Sequence, residues 1–323
     1  MKRRIVWASV SLAFAAVIGL SFAGGRPPQP KPDEFAALTR QFDYDATANP
    51  DVREVRAVPR SGYTIHDITY ASPVDGRVQA YLLVPEKPGP SAAVLFGHWG
   101  EGNRTEFLGE AGVYARAGVV CLLPDYPWVR PPQWRKSVQN FARPEDDRRT
   151  YAQAAIDLRR GLDILLARKD VDPKRVGYIG HSYGAQYGAI LTAVDRRIAA
   201  AVLVSGIPDL EAIFMRTDDP EMETVRKGFP PGRLEAYLAG ISTLSAVRYV
   251  GRAAPAPLLF QFSNFEPNFP RQAMERYFAA ASEPKSVIWY DAGHEMADPR
   301  AFRDRWEFLA GRLRLPKEPP LGR

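Results

Sequence analysis

A single serine, Ser182, lies between two glycines in the segment Gly180-His181-Ser182-Tyr183-Gly184. The apolar run before this segment predicts a strand, and the alanine- and glycine-rich run after it predicts a helix. A serine on such a sharp strand-to-helix turn is exposed at the end of a sheet and can act as a nucleophile. Glycine at positions 180 and 184 avoids a clash of side chains with the neighbouring strand or helix. The pattern predicts nucleophilic catalysis by Ser182, with an ordinary glycine-rich turn as the alternative.

A serine hydroxyl is a weak nucleophile without a general base, and the chain has only four histidines. His294 follows the last predicted strand and precedes the last predicted helix, so its loop can reach the serine. His66 lies in a predicted hairpin far from the sheet ends, and His181 adjoins the serine and is expected to point away from it. We therefore predict that His294 is the base. The alternative is that His294 is an ordinary surface histidine without a catalytic role.

The base needs a carboxylate that fixes its tautomer and stabilises its charged form. This acid is expected at a strand end, between the serine and the histidine in chain order. Glu266 follows the predicted strand 258–262 and is the preferred candidate, while Asp209 follows the predicted strand 200–204 and is the alternative. Either could instead be a solvated loop carboxylate. Asp125 precedes the serine and is expected to fix its own loop.

Backbone N–H groups are expected to bind the developing oxyanion. One belongs to Tyr183, the residue after the nucleophile, and the other to the loop 98–102 that follows the predicted strand 92–96. Within that loop either Trp99 or Gly100 is the donor, and a packing role for the Trp99 side chain is compatible with this. Three further residues are expected to line the substrate site: His98, Tyr126 and Trp128.

The elements that must position these residues follow an α/β pattern. Short apolar runs alternate with helical segments after an antiparallel hairpin at 63–70 and 77–84, which predicts an open and mostly parallel sheet with helices on both faces. Apolar residues at three- and four-residue spacing from Tyr151 to Leu166 predict a long amphipathic helix, which Asp172-Pro173 should separate from the next strand. The other predicted strands are 92–96, 119–123, 176–179, 200–204, 258–262 and 287–290, and the other predicted helices are 106–117, 271–281 and 300–313.

The N-terminus has the composition of an export signal. Three basic residues at positions 2–4 precede the apolar run 5–20, and small residues follow at 21–23. This pattern predicts a cleaved signal peptide over 1–23 and a periplasmic or secreted protein, with an uncleaved membrane anchor as the alternative.

The rest of the chain divides into a linker and N-terminal extension (24–60), a main α/β domain (61–315) and a C-terminal tail (316–323). The long connections 126–141 and 208–251 are possible lids over the serine, with structural excursions as the alternative.

Composition limits the function classes. The formal charge is +6, of which three positive charges lie in the predicted signal, so about +3 is left without it. The basic residues form no stripe with interleaved aromatics, so nucleic-acid binding is not expected. Cys121 is the only cysteine, so an intramolecular disulfide is excluded, and its apolar neighbours predict a small core residue. The sequence gives no oligomeric state.

The order of these motifs resembles the α/β-hydrolase superfamily, in particular its dienelactone-hydrolase-like and prolyl-oligopeptidase-like esterase branches. The resemblance rests on Gly97-His98-Trp99-Gly100, the segment around Ser182, the strand and loop up to Glu266, and Asp291-Ala292-Gly293-His294. It implies an eight-stranded, mostly parallel sheet, a Ser-acid-His triad, and no cofactor or metal.

The chain departs from that pattern at three sites. Ser182 stands where dienelactone hydrolases have cysteine, Glu266 is longer than the usual aspartate, and Trp99 follows His98 where glycine is usual. The sequence therefore predicts an exported serine hydrolase that cleaves a small-molecule or polymeric carboxylic ester. A peptidase or amidase with the same residues is one alternative, and a catalytically silent binding protein of the same fold is the other.

Overall fold

The structure is a computed structural model, and it describes residues 29–87, 89–209, 211–214 and 220–321. The predicted export signal lies outside these residues. Within the described ranges, no helix is both long and apolar enough to cross a membrane.

In the described part of the chain, nine strands form one sheet, one strand more than the eight implied by the resemblance. They are β1 (Arg53–Arg60), β2 (Tyr63–Ala71), β3 (Arg77–Pro85), β4 (Ser91–Gly97), β5 (Val120–Pro124), β6 (Val171–His181), β7 (Ala200–Val204), β8 (Leu258–Ser263) and β9 (Lys285–Tyr290). Their spatial order is β1-β2-β3-β5-β4-β6-β7-β8-β9. Strands β4 to β9 pair in parallel, which agrees with the predicted mostly parallel sheet.

The antiparallel part of the sheet is larger than the predicted hairpin. Strands β2 and β3 form that hairpin, and β1 adds a third antiparallel strand from the segment assigned to the N-terminal extension. Every residue of β1 is exposed or half-buried, with charged residues along much of its length. It therefore lacks the apolar alternation by which a half-buried strand is recognised.

Helices cover both faces of the sheet because each buries an apolar stripe against it. On one face lie α3 (Pro144–Leu166), α4 (Tyr183–Val194) and α8 (Arg271–Ala280), and on the other lie α2 (Leu108–Arg116) and α9 (Pro299–Leu313). A short helix α1 (Pro32–Thr39) precedes the sheet. Cys121 is fully buried in β5, as expected for a small core residue.

The connection into β6 differs from the prediction. Asp172-Pro173 does not precede the strand but lies inside it, because Val171 already pairs with Ser91. The pairing then jumps to Val176 opposite Ala93. The intervening residues form an irregularity that breaks the regular ladder, and the buried part of the strand begins at Val176.

Both predicted lid segments lie near the carboxyl end of the parallel strands. The described residues of the segment 208–251 include the short α-helices α5 (Glu211–Phe214), α6 (Pro220–Lys227) and α7 (Arg233–Ile241). The Phe141 ring, at the end of the segment 126–141, packs edge-on against Phe214 and Phe229, with centroids 5.8 and 4.7 Å away, and Tyr237 lies 4.7 Å away. This aromatic cluster packs the two segments against each other.

Candidate active site

The backbone at Ser182 has a strained conformation, which close packing around the turn stabilises. Its φ of 55° and ψ of −111° lie outside the ordinary regions for a residue with a side chain. A Cβ on Gly180 would lie 2.3 Å from the carbonyl oxygen of Gly184, and a Cβ on Gly184 would lie 2.1 Å from that of Gly97. Glycine is therefore required at both positions, because any side chain would clash with backbone atoms that cannot move without distorting the turn.

Three side chains from separate strand ends meet at this turn. Ser182 Oγ lies 2.9 Å from His294 Nε2, and His294 Nδ1 lies 2.8 and 3.0 Å from the two carboxylate oxygens of Glu266. Ser182 follows β6, Glu266 follows β8 and His294 follows β9, so the parallel sheet brings together residues that are far apart in sequence. The distances allow the hydroxyl to donate to Nε2 while Nδ1–H donates to the carboxylate.

The Glu266 carboxylate is buried and held in place. Its side chain is 1% exposed, and it accepts hydrogen bonds from the Ser263 hydroxyl and the Asn268 backbone N–H, at 3.2 and 3.0 Å. Asp209 has a different environment, since its Oδ1 accepts the N–H of Ala212 at 2.7 Å and so fixes the start of α5. Of the two predicted acids, the structure brings only Glu266 to the histidine.

The loop after β4 approaches the serine with one N–H already engaged. The Trp99 N–H donates to Glu106 Oε2 at 2.7 Å, whereas the Gly100 N–H has no hydrogen-bond partner among the described residues. The Gly100 carbonyl accepts the indole N–H of Trp128 at 2.7 Å, which fixes the orientation of that peptide. A Cβ on Gly100 would lie 2.8 Å from the Tyr183 ring, so the loop packs directly on the residue after the serine.

The three residues expected to line the substrate site are not among the residues that line the cavity over Ser182, so that expectation was wrong. His98 is buried, its Nδ1–H donates to the Trp99 carbonyl at 2.6 Å, and its Nε2 accepts the Tyr126 N–H at 3.1 Å. Burial lowers the pKa of His98 to about 3, so the ring is neutral at physiological pH. Tyr126 is also buried, and Trp128 supports Gly100 from behind. These residues hold the loop rather than meet a ligand.

A cavity of about 180 Å³ opens above Ser182 and His294. One wall is apolar, and its side chains come from the residues after β7, from α5 and from the loop that carries Glu266. The apolar lining residues are Ile207, Ile213, Phe214 and Phe269. The polar ones are Glu101, Gln139 and Asn268, and Trp99, Gly100 and Tyr183 complete the floor around the serine.

Sequence reasoning missed one polar pair beside the site. His181 was expected to point away from the serine, and the structure adds that its ring lies 5.1 Å from that of His294. Its Nδ1 lies 2.6 Å from Glu106 Oε1, and its Nε2 lies 2.7 Å from the backbone carbonyl of His294. Glu106 is not recognisable as a site residue from the sequence, because it lies in a predicted helix, 75 positions from its partner. No local spacing signals such a pair.

The sheet, the turn at Ser182 and the neighbouring histidine define a member of the α/β-hydrolase superfamily, an enzyme of the serine hydrolase type. A sequence model of the prolyl oligopeptidase family matches residues 147–313, more than half of the chain. The chain belongs to this family.

The chain is also similar to individual proteins and to solved structures. The uncharacterized protein Rv2307c of Mycobacterium tuberculosis is 30% identical over 230 residues, which cover 70% of this chain and 68% of that protein. Among solved structures, the acetyl xylan esterase of Paenibacillus sp. R4 is 20% identical with a TM-score of 0.70, covering 89% of this chain and 97% of its own. Acetyl xylan esterase 1 of Thermoanaerobacterium sp. JW/SL YS485 is 16% identical with a TM-score of 0.71, covering 88% and 95%. At these identities the two structures establish the fold alone.

Proposed function

We propose that this protein hydrolyses carboxylic esters through a Ser182–His294–Glu266 triad and an acyl-enzyme. The observation that carries the proposal is the unbroken chain of hydrogen-bonding distances from Ser182 Oγ through both ring nitrogens of His294 to the Glu266 carboxylate, at the floor of an open cavity. Each member also has the environment that its role requires, since the carboxylate is buried and the serine is held on a strained turn.

In the first half-reaction Ser182 Oγ attacks the ester carbonyl carbon while its proton passes to His294 Nε2. The imidazolium then donates this proton to the leaving alkoxide, and the alcohol departs. In the second half-reaction a water molecule attacks the acyl-enzyme, His294 takes its proton and returns it to Ser182 Oγ, and the carboxylic acid is released. Glu266 keeps its negative charge throughout and stabilises the imidazolium at Nδ1.

The oxyanion that forms in each half-reaction needs donors that are already in place. We assign these to the backbone N–H groups of Tyr183 and Gly100. Tyr183 is the first residue of α4, so its N–H has no intrahelical acceptor. Gly100 is favoured over Trp99 because the Trp99 N–H is already bound by Glu106. Loss of one such donor typically costs about 3 kcal/mol of transition-state stabilisation.

The cavity favours an ester with a small acyl group. Its volume of about 180 Å³ is below the range of roughly 300–1,000 Å³ that is usual for drug-sized ligands. The apolar wall formed by Ile213, Phe214 and Phe269 suits an acyl chain, and the polar side chains opposite it suit an alcohol. Both similar structures are acetyl xylan esterases, which supports the same preference for a small acyl group.

A peptidase or amidase is the second candidate, because the matching family is named for an oligopeptidase. The same three residues would cleave an amide, with an amine in place of the alcohol as leaving group. The two candidates are separated by a matched pair of substrates that share one acyl group and differ only in the ester or anilide bond. A higher kcat/KM for the anilide would favour the peptidase.

The first test is hydrolysis of p-nitrophenyl esters of increasing acyl length by the purified protein, together with Ser182→Ala and His294→Ala. We expect activity on short acyl chains, and its loss in both variants. A fluorophosphonate probe should label the wild type at Ser182 but not Ser182→Ala. A folded wild type that neither hydrolyses an ester or anilide nor reacts with the probe would support the silent binding protein instead.

Residues 1–23 also support a proposal on location. We propose that they direct export and are removed. Their basic, apolar and small-residue regions follow one another in the order that is typical of a signal peptide. Expression of the full chain in a Gram-negative host, followed by cell fractionation and N-terminal sequencing, tests this. A periplasmic product that starts after residue 23 is expected, and a full-length product in the membrane fraction would contradict cleavage.

A further inference from the structure

The half-buried Glu106 and the buried His181 form a bridge between two loops of the site. The Glu106 side chain is 19% exposed and that of His181 7%. Glu106 accepts the Trp99 N–H through Oε2, and His181 reaches the His294 carbonyl through Nε2. The bridge therefore connects the loop that carries Gly100 to the loop that carries the general base.

The hydrogen bonds determine how many protons this pair holds. A backbone carbonyl only accepts, so His181 Nε2 must carry a proton towards the His294 oxygen at 2.7 Å. Across the 2.6 Å between Nδ1 and Glu106 Oε1, one more proton must lie on one atom or the other. The pair thus carries two protons and no net charge, either as imidazolium and carboxylate or as imidazole and carboxylic acid.

Neither residue faces the reacting atoms. His294 Nε2 is directed at Ser182 and Nδ1 at Glu266, whereas His181 Nε2 donates to the backbone oxygen of the base and the His181 ring packs beside the His294 ring, with centroids 5.1 Å apart. The Trp99 indole stacks on the His181 ring at a centroid distance of 6.2 Å and an interplanar angle of 19°, which closes the other side of the pair. The Glu106–His181 pair must therefore influence the reaction through the position of the two loops.

We propose that Glu106 and His181 are positioning residues that hold the oxyanion loop and the general base in register with Ser182. This inference rests on the proposed serine-hydrolase function. Because a displacement of about 1 Å in a reacting group can cost roughly 10²-fold in rate, loss of the bridge lowers kcat. KM stays nearly unchanged, because neither residue lines the cavity.

Glu106→Gln and Glu106→Ala separate positioning from charge. In Glu106→Gln the amide oxygen accepts the Trp99 N–H, and the amide NH₂ donates to Nδ1 of neutral His181. His181 Nε2–H still donates to the His294 carbonyl, so all three hydrogen bonds and the zero net charge are kept. We expect Glu106→Gln to retain kcat within about threefold and Glu106→Ala to lose about 10²-fold. His181→Ala should resemble Glu106→Ala, and the double alanine variant should fall no further than either, because the pair acts as one unit.

Glu110→Ala is the matched structural control. Glu110 lies four positions along the chain in α2 and pairs with the buried Arg305 at 2.8 and 2.6 Å, away from the site. Loss of the Glu110 side chain also breaks an ion pair, here between the carboxylate and the buried Arg305 guanidinium. It is expected to lower stability but to leave kcat unchanged. Thermal unfolding measured beside kcat then separates a loss of fold from a loss of alignment.

Three results would overturn the proposal. They are equal losses of kcat in Glu106→Gln and Glu106→Ala, a loss in Glu110→Ala as large as in Glu106→Ala, or a double variant whose losses multiply. If the wild type cleaves no ester, the ester proposal fails, and the rate of Ser182 phosphonylation replaces kcat in the same comparison.

A measurement without any substrate keeps the pair testable if Ser182 does not react at all. The short bond between His181 and Glu106 should give a downfield proton NMR signal, assignable because the chain has four histidines. The signal should disappear in His181→Ala and Glu106→Ala and persist in Glu110→Ala. Its absence from the wild type would refute the bridge itself.

Discussion

Substitution of Glu266 by glutamine tests the electrostatic part of the triad. The carboxylate oxygens lie 2.8 and 3.0 Å from His294 Nδ1, so the centres of the two charges in the imidazolium state are about 4 Å apart. At an effective dielectric constant of about 20, their attraction amounts to about 4 kcal/mol. The amide keeps the size and one acceptor oxygen but removes the charge. The transition state, in which the imidazolium forms, should therefore lose most of this energy.

A loss of about 4 kcal/mol corresponds to a decrease of about 10³-fold in kcat. The assay is the initial rate of p-nitrophenyl acetate hydrolysis at saturating substrate, with circular dichroism to show that the variant is folded. Asp209→Asn is the control, because asparagine still accepts the Ala212 N–H and is an equally good helix cap. It should keep kcat within about twofold.

Two results would refute this reasoning. If Asp209→Asn loses kcat while Glu266→Gln keeps it, the acid of the triad is the earlier carboxylate and Glu266 only packs against the histidine. If Glu266→Gln keeps more than about a tenth of the wild-type kcat, the charge contributes less than about 1.4 kcal/mol. The hydrogen bond to Nδ1 would then be the whole of its role.

Three further predictions concern the surroundings of the triad. Gly184→Ala places a Cβ 2.1 Å from the Gly97 carbonyl oxygen, so thermal unfolding should reveal a loss of about 1–3 kcal/mol and the phosphonate probe should no longer label Ser182. Trp128→Phe removes the donor to Gly100 and should lower kcat about tenfold at unchanged KM, whereas a raised KM would place Trp128 in substrate binding. Burial raises the pKa of Asp125 to about 6, so the folded protein binds more protons than the unfolded chain at intermediate pH, and stability falls as the pH rises from about 4 to about 6. Asp125→Asn removes this effect, and urea titrations should show its advantage over the wild type, up to about 3 kcal/mol at pH 7, shrinking towards zero near pH 4.

The parallel part of the fold was predictable because its strands are continuous apolar runs. The strand predicted at 200–204 is the strand observed, and the other predicted strands differ from the observed ones mainly at their ends. β1 was not predicted, because an exposed edge strand needs no apolar pattern and its pairing with β2 is fixed by the backbone. The limits of β6 were misjudged because a proline is tolerated where the ladder is irregular.

The residues of the site likewise divide into those that could be predicted from the sequence and those that could not. Ser182, Glu266 and His294 each follow a predictable strand, so the topology of a parallel sheet alone suggested that they meet. The placement of His98 could not be predicted, because it depends on which backbone N–H its ring accepts, and that N–H belongs to Tyr126 on the neighbouring strand end. Glu106 and His181 escaped for the same reason, since their contact exists only in three dimensions.

The edge strand β1 has a consequence for how copies of this chain meet one another. An exposed strand edge is a template for pairing with a second chain. Antiparallel pairing of β1 with itself, centred on the strand, would set Arg53 opposite Arg60, and like charges directly opposite one another are destabilising. Pro59 has no N–H to contribute, and the register shift between Glu54 and Arg56 bends the strand. Growth of the sheet from one molecule into the next is therefore disfavoured at this edge, which protects concentrated protein against fibrous aggregation.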